Sequence, residues 1–186
     1  MKNALILHGT NGKSKHNWFP WLKERLESDN WKVWVPDLPG ADVPNLKIYS
    51  KFLLDNKDWD FNEQSYLIGH SSGAMAILGL LQALPEDTVV DTCILVGAFR
   101  NSLGEKNLEE IFEDPFDFEY IKKRAKKIIL IHSDNDPYCP LDHAEYLSKK
   151  LNAQLIVRKG QAHFSIGTYG EEYKEFPFLL ELIMRE

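Results

Sequence analysis

Ala4 to Leu7, Lys32 to Val35, Ser65 to Ile68, Thr92 to Val96, Ile128 to Ile131 and Leu155 to Val157 are short, nearly continuous apolar runs. A strand with one face in water alternates apolar and polar residues. A run that is apolar at both parities must instead be covered on both faces, as happens when parallel strands are joined by crossover helices. The intervening segments supply those helices: Trp18, Trp21, Leu22 and Leu26, then Leu78, Leu81 and Leu84, then Phe176, Leu179, Leu180 and Ile183 repeat close to the i, i+3, i+4 spacing of a buried helical face. The expected fold class is therefore α/β, a mostly parallel six-stranded sheet with helices on both faces in three α/β/α layers. The 186 residues suit one domain, 1–186, with a substantial core. One stretch breaks the rhythm. From Arg100 to Tyr120 the chain is acidic and aromatic, with Glu105, Glu109, Glu110, Glu113, Asp114, Asp117 and Glu119 among Phe112, Phe116 and Phe118. This insertion at about 100–120 reads as a solvated connector with one helix, or as a small cap over a site.

In open parallel sheets a ligand sits beyond the carboxyl ends of the strands. The residues that follow the runs are His8-Gly9-Thr10-Asn11-Gly12, Gly69-His70-Ser71-Ser72-Gly73, Asp134-Asn135-Asp136-Pro137 and Gln161-Ala162-His163-Phe164. The second group has the G-x-S-x-G pattern of a nucleophile elbow, between a strand-like run and the helix-like run Ala74 to Leu84. There a serine is held out on a sharp turn, and Gly69 and Gly73 leave the space that turn needs. Ser71 is the candidate nucleophile; the plainer alternative is a helix start that Ser71 or Ser72 merely caps. A serine hydroxyl needs a base, and the base needs a carboxylate to hold its tautomer. His163 is the candidate base. His70, locked in the elbow, and His8, ending the first strand, fit that role less well. For the acid Asp136 is favoured over Asp134, which reads as a turn former bonding its own backbone. The chain order Ser71, Asp136, His163 is that of α/β hydrolases. Asp136-Pro137-Tyr138-Cys139-Pro140 resembles their D-x-x-V-P run, with Cys139 in place of valine. Two oxyanion donors are expected from backbone N–H groups, Ser72 after the nucleophile and Thr10 after the first strand, with Asn11 as the alternative to Thr10.

Composition narrows the function classes. A formal net charge of -6 with no cluster of Lys and Arg argues against a nucleic-acid partner. No apolar run approaches the roughly 20 residues that cross a bilayer, and the start carries no leader-like pattern. Cys93 and Cys139 supply no disulfide framework and fit a reduced, cytoplasmic setting. Neither a metal nor a cofactor is called for by the histidine and cysteine spacing. Gly12-Lys13-Ser14 imitates the end of a phosphate-binding loop, but the first glycine of that motif would fall on Leu7.

Taken together, His8-Gly9-Thr10, Asn17-Trp18-Phe19-Pro20-Trp21-Leu22, Pro36-Asp37-Leu38-Pro39, the elbow, the Asp136-Pro137 loop and Ala162-His163-Phe164 resemble the small serine hydrolases related to retinoblastoma-binding protein nine and its bacterial homologues. The resemblance spans nearly the whole chain. It implies a compact α/β-hydrolase fold, a Ser-Asp-His triad, no cofactor, and activity on small ester or amide substrates. This chain departs from the pattern at Ala74, where a third glycine is common, and at Cys139. A rival expectation is a protein-binding module on a hydrolase scaffold, with its catalytic groups idle. If the acidic segment overhangs the crevice, cationic or amine-bearing substrates are expected to be favoured over anionic ones.

Overall fold

The computed structural model describes residues 1–185. Its strands are β1 Asn3–Leu7, β2 Lys32–Trp34, β3 Ser65–His70, β4 Val90–Val96, β5 Ala125–Ser133 and β6 Gln154–Arg158. They form one sheet in the order β2-β1-β3-β4-β5-β6, and every neighbouring pair is parallel. The helices are α1 Phe19–Ser28, α2 Leu46–Leu54, α3 Ser72–Ala83, the short α4 Phe118–Ile121, α5 Leu141–Leu151 and α6 Pro177–Arg185.

The continuous apolar runs are explained by two cores, one on each face of the sheet. Leu5, Leu7, Leu67, Leu95 and Leu130 pack with Tyr49 and Leu53 of α2, Met75 and Leu78 of α3, and Leu147 and Leu151 of α5. Residues of the opposite parity, Ala4, Ile6, Ile68, Ile94, Val96, Ile129 and Ile131, pack with Phe19, Leu22 and Leu26 of α1 and Leu179 and Ile183 of α6. Each such side chain contributes about 1.5–3 kcal/mol by leaving water. Shifting any central strand by one residue would exchange its two sets and misfit both helical layers.

Two elements exceed what the apolar runs foretell. β5 begins three residues earlier than Ile128, because main-chain pairing of Val90 with Ala125 and Thr92 with Lys127 does not depend on side-chain polarity. The start of α2 is set by Asn45, whose Oδ1 accepts the amides of Lys47 at 3.0 Å and Ile48 at 3.1 Å.

Residues 100–120 form a largely exposed wall with few buried side chains, tied to its neighbours by polar contacts. A 3-10 turn at Lys106–Phe112 buries Leu108 and Ile111. Asn107 Nδ2 donates to Asp42 O at 3.0 Å, Asn45 Nδ2 to Glu110 Oε2 at 2.9 Å, and Lys47 pairs with Asp114 at 2.8 Å. Farther along, Asp117 N donates to Gln82 Oε1 at 2.7 Å, tying the segment to α3. Among the described residues no helix is long and apolar enough to cross a membrane.

Candidate active site

The loops after β1, β3, β5 and β6 meet at the carboxyl edge of the sheet around a cleft of about 490 Å³ that Thr10, Ser71, Cys139 and His163 all line. Ser71 stands between β3 and α3 with φ 57° and ψ -125°. Such a backbone costs on the order of 1–3 kcal/mol for a residue with a Cβ. It is held by the sheet, since the Ser71 amide donates to Val96 O at 2.8 Å. No side-chain capping bond is made, so the serine is not simply a helix cap.

The flanking glycines are required by space. A Cβ on Gly69 would lie 2.4 Å from Gly73 O, and one on Gly73 would lie 2.4 Å from Leu7 O and 2.5 Å from His8 O. Those obstacles are backbone of the elbow and of β1, which cannot rotate away. Gly73→Ala is expected to destabilise by about 3 kcal/mol, at the upper end of overpacking, and to lower the thermal midpoint by roughly 6–12 °C. A melting curve within 2 °C of the parent would show that β1 yields.

His163 and Asp136 form the tightest polar pair of the site. His163 Nδ1 lies 2.6 Å from Asp136 Oδ2, with side chains only 6% and 0% exposed. The carboxylate can only accept, so Nδ1 carries the hydrogen and Nε2 keeps its lone pair. Asp136 Oδ1 accepts the amides of Tyr138 at 2.9 Å and Cys139 at 3.0 Å. Burial works against its charge, but the His163 bond and these two amides prevail and hold the carboxyl below the usual carboxylate range. Among the described residues no hydrogen bond joins the Ser71 hydroxyl to the ring. The histidine-carboxylate contact is thus closed and the serine-histidine contact open, as is common before a substrate tightens a site.

Asp134 does not bond its own backbone, as its sequence position suggested. Its Oδ1 accepts the Gly160 amide at 2.7 Å, joining the β5 loop to the β6 loop. The two loops are adjacent in space, and a backbone donor outside the turn is nearer to the carboxylate than its own.

Of the two alternative donors, Thr10 and Asn11, the second already has a main-chain partner. The Asn11 amide is spent on Ala41 O at 2.8 Å. Thr10 and Ser72 are linked through their side chains, Thr10 Oγ1 donating to Ser72 Oγ at 2.9 Å. That bond fixes the β1 loop to the start of α3, where the first-turn amides have no partner within the helix.

Several histidines outside the candidate triad hold the loops, His8 among them, as its place at the end of the first strand suggested. His70 Nε2 lies 2.7 Å from His163 O, His132 Nε2 lies 2.8 Å from Cys139 O, and His8 Nδ1 lies 2.9 Å from Gly9 O. A carbonyl can only accept, so each of these rings donates from the named nitrogen. The loop bearing His163 needs such anchors, because Ala162 and Phe164 on either side of it have φ of 45° and 52°. Trp18 Nε1 adds a bond to Phe164 O at 3.1 Å, and Asn17 Oδ1 accepts the Ile166 amide at 3.0 Å. The Asn17-Trp18 segment, whose tryptophan reads as part of the buried face of the first helix, thus braces the base loop. Gly97, after β4, was also missed: with φ 63° it lies under the ring, where a Cβ would come 2.9 Å from His163 Cε1.

Burial pushes His8, His70 and His132 below the ordinary imidazole value of 6.5, His70 to about 3. In the unfolded chain these rings take up protons near pH 6.5, whereas the folded chain keeps them neutral to lower pH. The unfolded state therefore binds more protons in that window, and stability falls as pH falls, by about 1.4 kcal/mol per pH unit for each ring held neutral. Asp136 acts in the same direction, since the stability from its depressed carboxyl is lost as pH drops through its folded value. The thermal midpoint is expected to decline steadily from pH 7 to pH 4, and less steeply in His70→Gln, whose amide can still donate to His163 O. A flat profile in the parent protein would contradict this account.

The comparisons with known proteins accord with this geometry. A family profile described as serine hydrolase matches residues 4–183. The chain belongs to the serine hydrolase family. The putative hydrolase YdeN of Bacillus subtilis is 31% identical over 164 residues, covering 88% of this chain and 86% of YdeN. Its crystal structure superposes with a TM-score of 0.91, over 100% of this chain and 98% of that one, at 28% identity. Serine hydrolase RBBP9 of Rattus norvegicus is 28% identical over 166 residues, covering 87% and 86% of the two chains. Est1E of Butyrivibrio proteoclasticus shares the fold, with a TM-score of 0.69 at 19% identity over 99% of this chain and 84% of its own. The architecture is thus the α/β-hydrolase fold.

Within this serine hydrolase, Asp136, Cys139 and His163 bring three metal-capable atoms within 4.8 Å of one another. The Asp136 and His163 atoms are spent on each other at 2.6 Å, shorter than the ~3.3 Å separating two ligands of a tetrahedral zinc. Burial pushes the Cys139 thiol far up, and Asp136 adds to this, so the sulfur stays protonated. Both cysteines are free and buried. Cys139 fills the place of a small apolar side chain.

Proposed function

We propose that this serine hydrolase cleaves small carboxylic esters or amides through Ser71, Asp136 and His163, with a covalent acyl-enzyme intermediate. The observation that carries the reading is the 2.6 Å contact of His163 Nδ1 with the buried Asp136, in a cleft shared with a serine on a strained strand-to-helix turn. With Nδ1 bonded to the carboxylate, His163 Nε2 is the free basic nitrogen. It takes the Ser71 proton as Oγ attacks the substrate carbonyl, and the Asp136 charge steadies the resulting imidazolium. The Thr10 and Ser72 amides receive the developing oxyanion. His163 then returns the proton to the departing alcohol or amine, leaving an ester on Ser71. Water deprotonated by the same nitrogen attacks that ester and releases the acid and the free serine. Every proton and bond in this cycle is handled by the chain's own groups, so no cofactor enters it, and two free, buried thiols fit a cytoplasmic enzyme.

A fluorophosphonate probe tests the proposal directly, because it phosphonylates only an activated serine. Stoichiometric labelling on the Ser71 peptide, abolished in Ser71→Ala, is expected. A folded protein that resists the probe at micromolar concentration would leave a hydrolase-shaped binding module instead.

A further inference from the structure

The proposed cleavage leaves the substrate's character open, and the charge pattern of the cleft addresses it. Its walls divide by chemistry. Phe19, Phe99, Leu103, Leu108 and Tyr138 give it an apolar side opposite polar groups such as Thr10, Asn17 and Asn107, and no lysine or arginine lines it. One carboxylate does: Glu105, at the start of the wall built by residues 100–120. Most other acids of that wall are committed elsewhere. Glu110 accepts from Asn45, Asp114 pairs with Lys47, Asp117 caps α4 through the Tyr120 amide, and Glu119 pairs with Lys122. The carboxylate of Glu105 has no hydrogen bond or ion pair among the described residues. An unpaired carboxylate beside aromatic rings, answered by no permanent cation and with His16, His70 and His163 as the basic side chains of the lining, makes the cleft favourable to a positively charged group and unfavourable to a second carboxylate.

We propose that this site selects esters or amides that carry an ammonium group on an apolar body, and rejects anionic ones, with Glu105 as the specificity-determining residue. The inference rests on the acyl-transfer reading above and adds the substrate class to it. The net charge of -6 is screened within about 8–10 Å at physiological salt, so the advantage that persists there comes from Glu105 at close range.

Three p-nitrophenyl esters of equal length, ending in trimethylammonium, tert-butyl or carboxylate, isolate the charge, because the first two are alike in shape. A parallel pair, a choline ester and its 3,3-dimethylbutyl counterpart, places the charge on the leaving group. In at least one series kcat/KM for the cationic ester is expected to exceed that of its tert-butyl match by about 3- to 10-fold at low salt, with the carboxylate poorer than both. In Glu105→Gln that ratio is expected to fall to near 1, and 1 M salt should compress it in the parent. Glu109→Gln, outside the cleft, is expected to keep the parent ratio. Equal kcat/KM across charges in both series, or a preference that survives Glu105→Gln, overturns the assignment of Glu105 while leaving acyl transfer intact. Failure to hydrolyse any of the five esters would instead strike at the acyl-transfer reading itself.

Discussion

Ser71→Ala is expected to lower kcat toward small esters by about 10⁴ to 10⁶, leaving the residual rate that an oxyanion site and substrate binding supply on their own. Alanine removes one oxygen and nothing else of consequence. The Ser71 hydroxyl caps no helix, and the bond holding the turn is made by its main-chain amide to Val96 O, which alanine retains. The thermal midpoint should therefore stay within about 2 °C, as for substitutions that break no packing or buried hydrogen bond. That combination separates chemistry from folding. Stopped-flow or endpoint ester assays with active-site titration read the first, and calorimetry reads the second. Retention of more than a tenth of the parent rate in a pure sample would remove Ser71 from the reaction.

Asp136→Asn is expected to cost about 10⁴ in kcat, through the wrong tautomer of His163 rather than through a displaced side chain. The direction follows from the hydrogen bonds around the carboxyl group. Oδ1 accepts two amides, Tyr138 N–H and Cys139 N–H, so the asparagine oxygen must occupy that place. Its NH₂ then replaces Oδ2 opposite His163 Nδ1. Two donors cannot face each other, so the ring moves its hydrogen to Nε2, the nitrogen that must receive the serine proton. KM is expected to change little, and ¹⁵N shifts of the imidazole should report the exchanged tautomer. A variant with parental kcat, or one that keeps the hydrogen on Nδ1, would contradict this role. The same substitution removes a carboxyl held below its usual range, and so weakens the acid dependence of stability described above.

The relation of sequence to structure differs between the sheet and the site. Continuous apolar runs at Ala4 to Leu7, Ser65 to Ile68 and Thr92 to Val96 specify a sheet covered on both faces, because burial depends on each side chain's own chemistry and on the period of two. The glycines at 69 and 73 around a serine specify the elbow, since steric exclusion acts between near neighbours. The candidate residues Ser71, Asp136 and His163 were legible because each follows a strand and the topology gathers strand ends at one edge.

What the tertiary structure alone decided involves partners far apart in the chain. The Asn11 amide is engaged by Ala41 O on a distant loop. Asp134 turns from a local cap into a tie to Gly160. His70, a plain histidine in the sequence, becomes a brace for the loop that carries His163 through a carbonyl 93 residues away, and Trp18 and Asn17 secure the same loop. Glu105 stands apart from the other acids of residues 100–120 because the fold places its side chain, and not theirs, on the lining of the cleft. These hydrogen bonds are settled by separations of a few ångströms between residues 26 to 149 positions apart in sequence, and no local pattern encodes such distances.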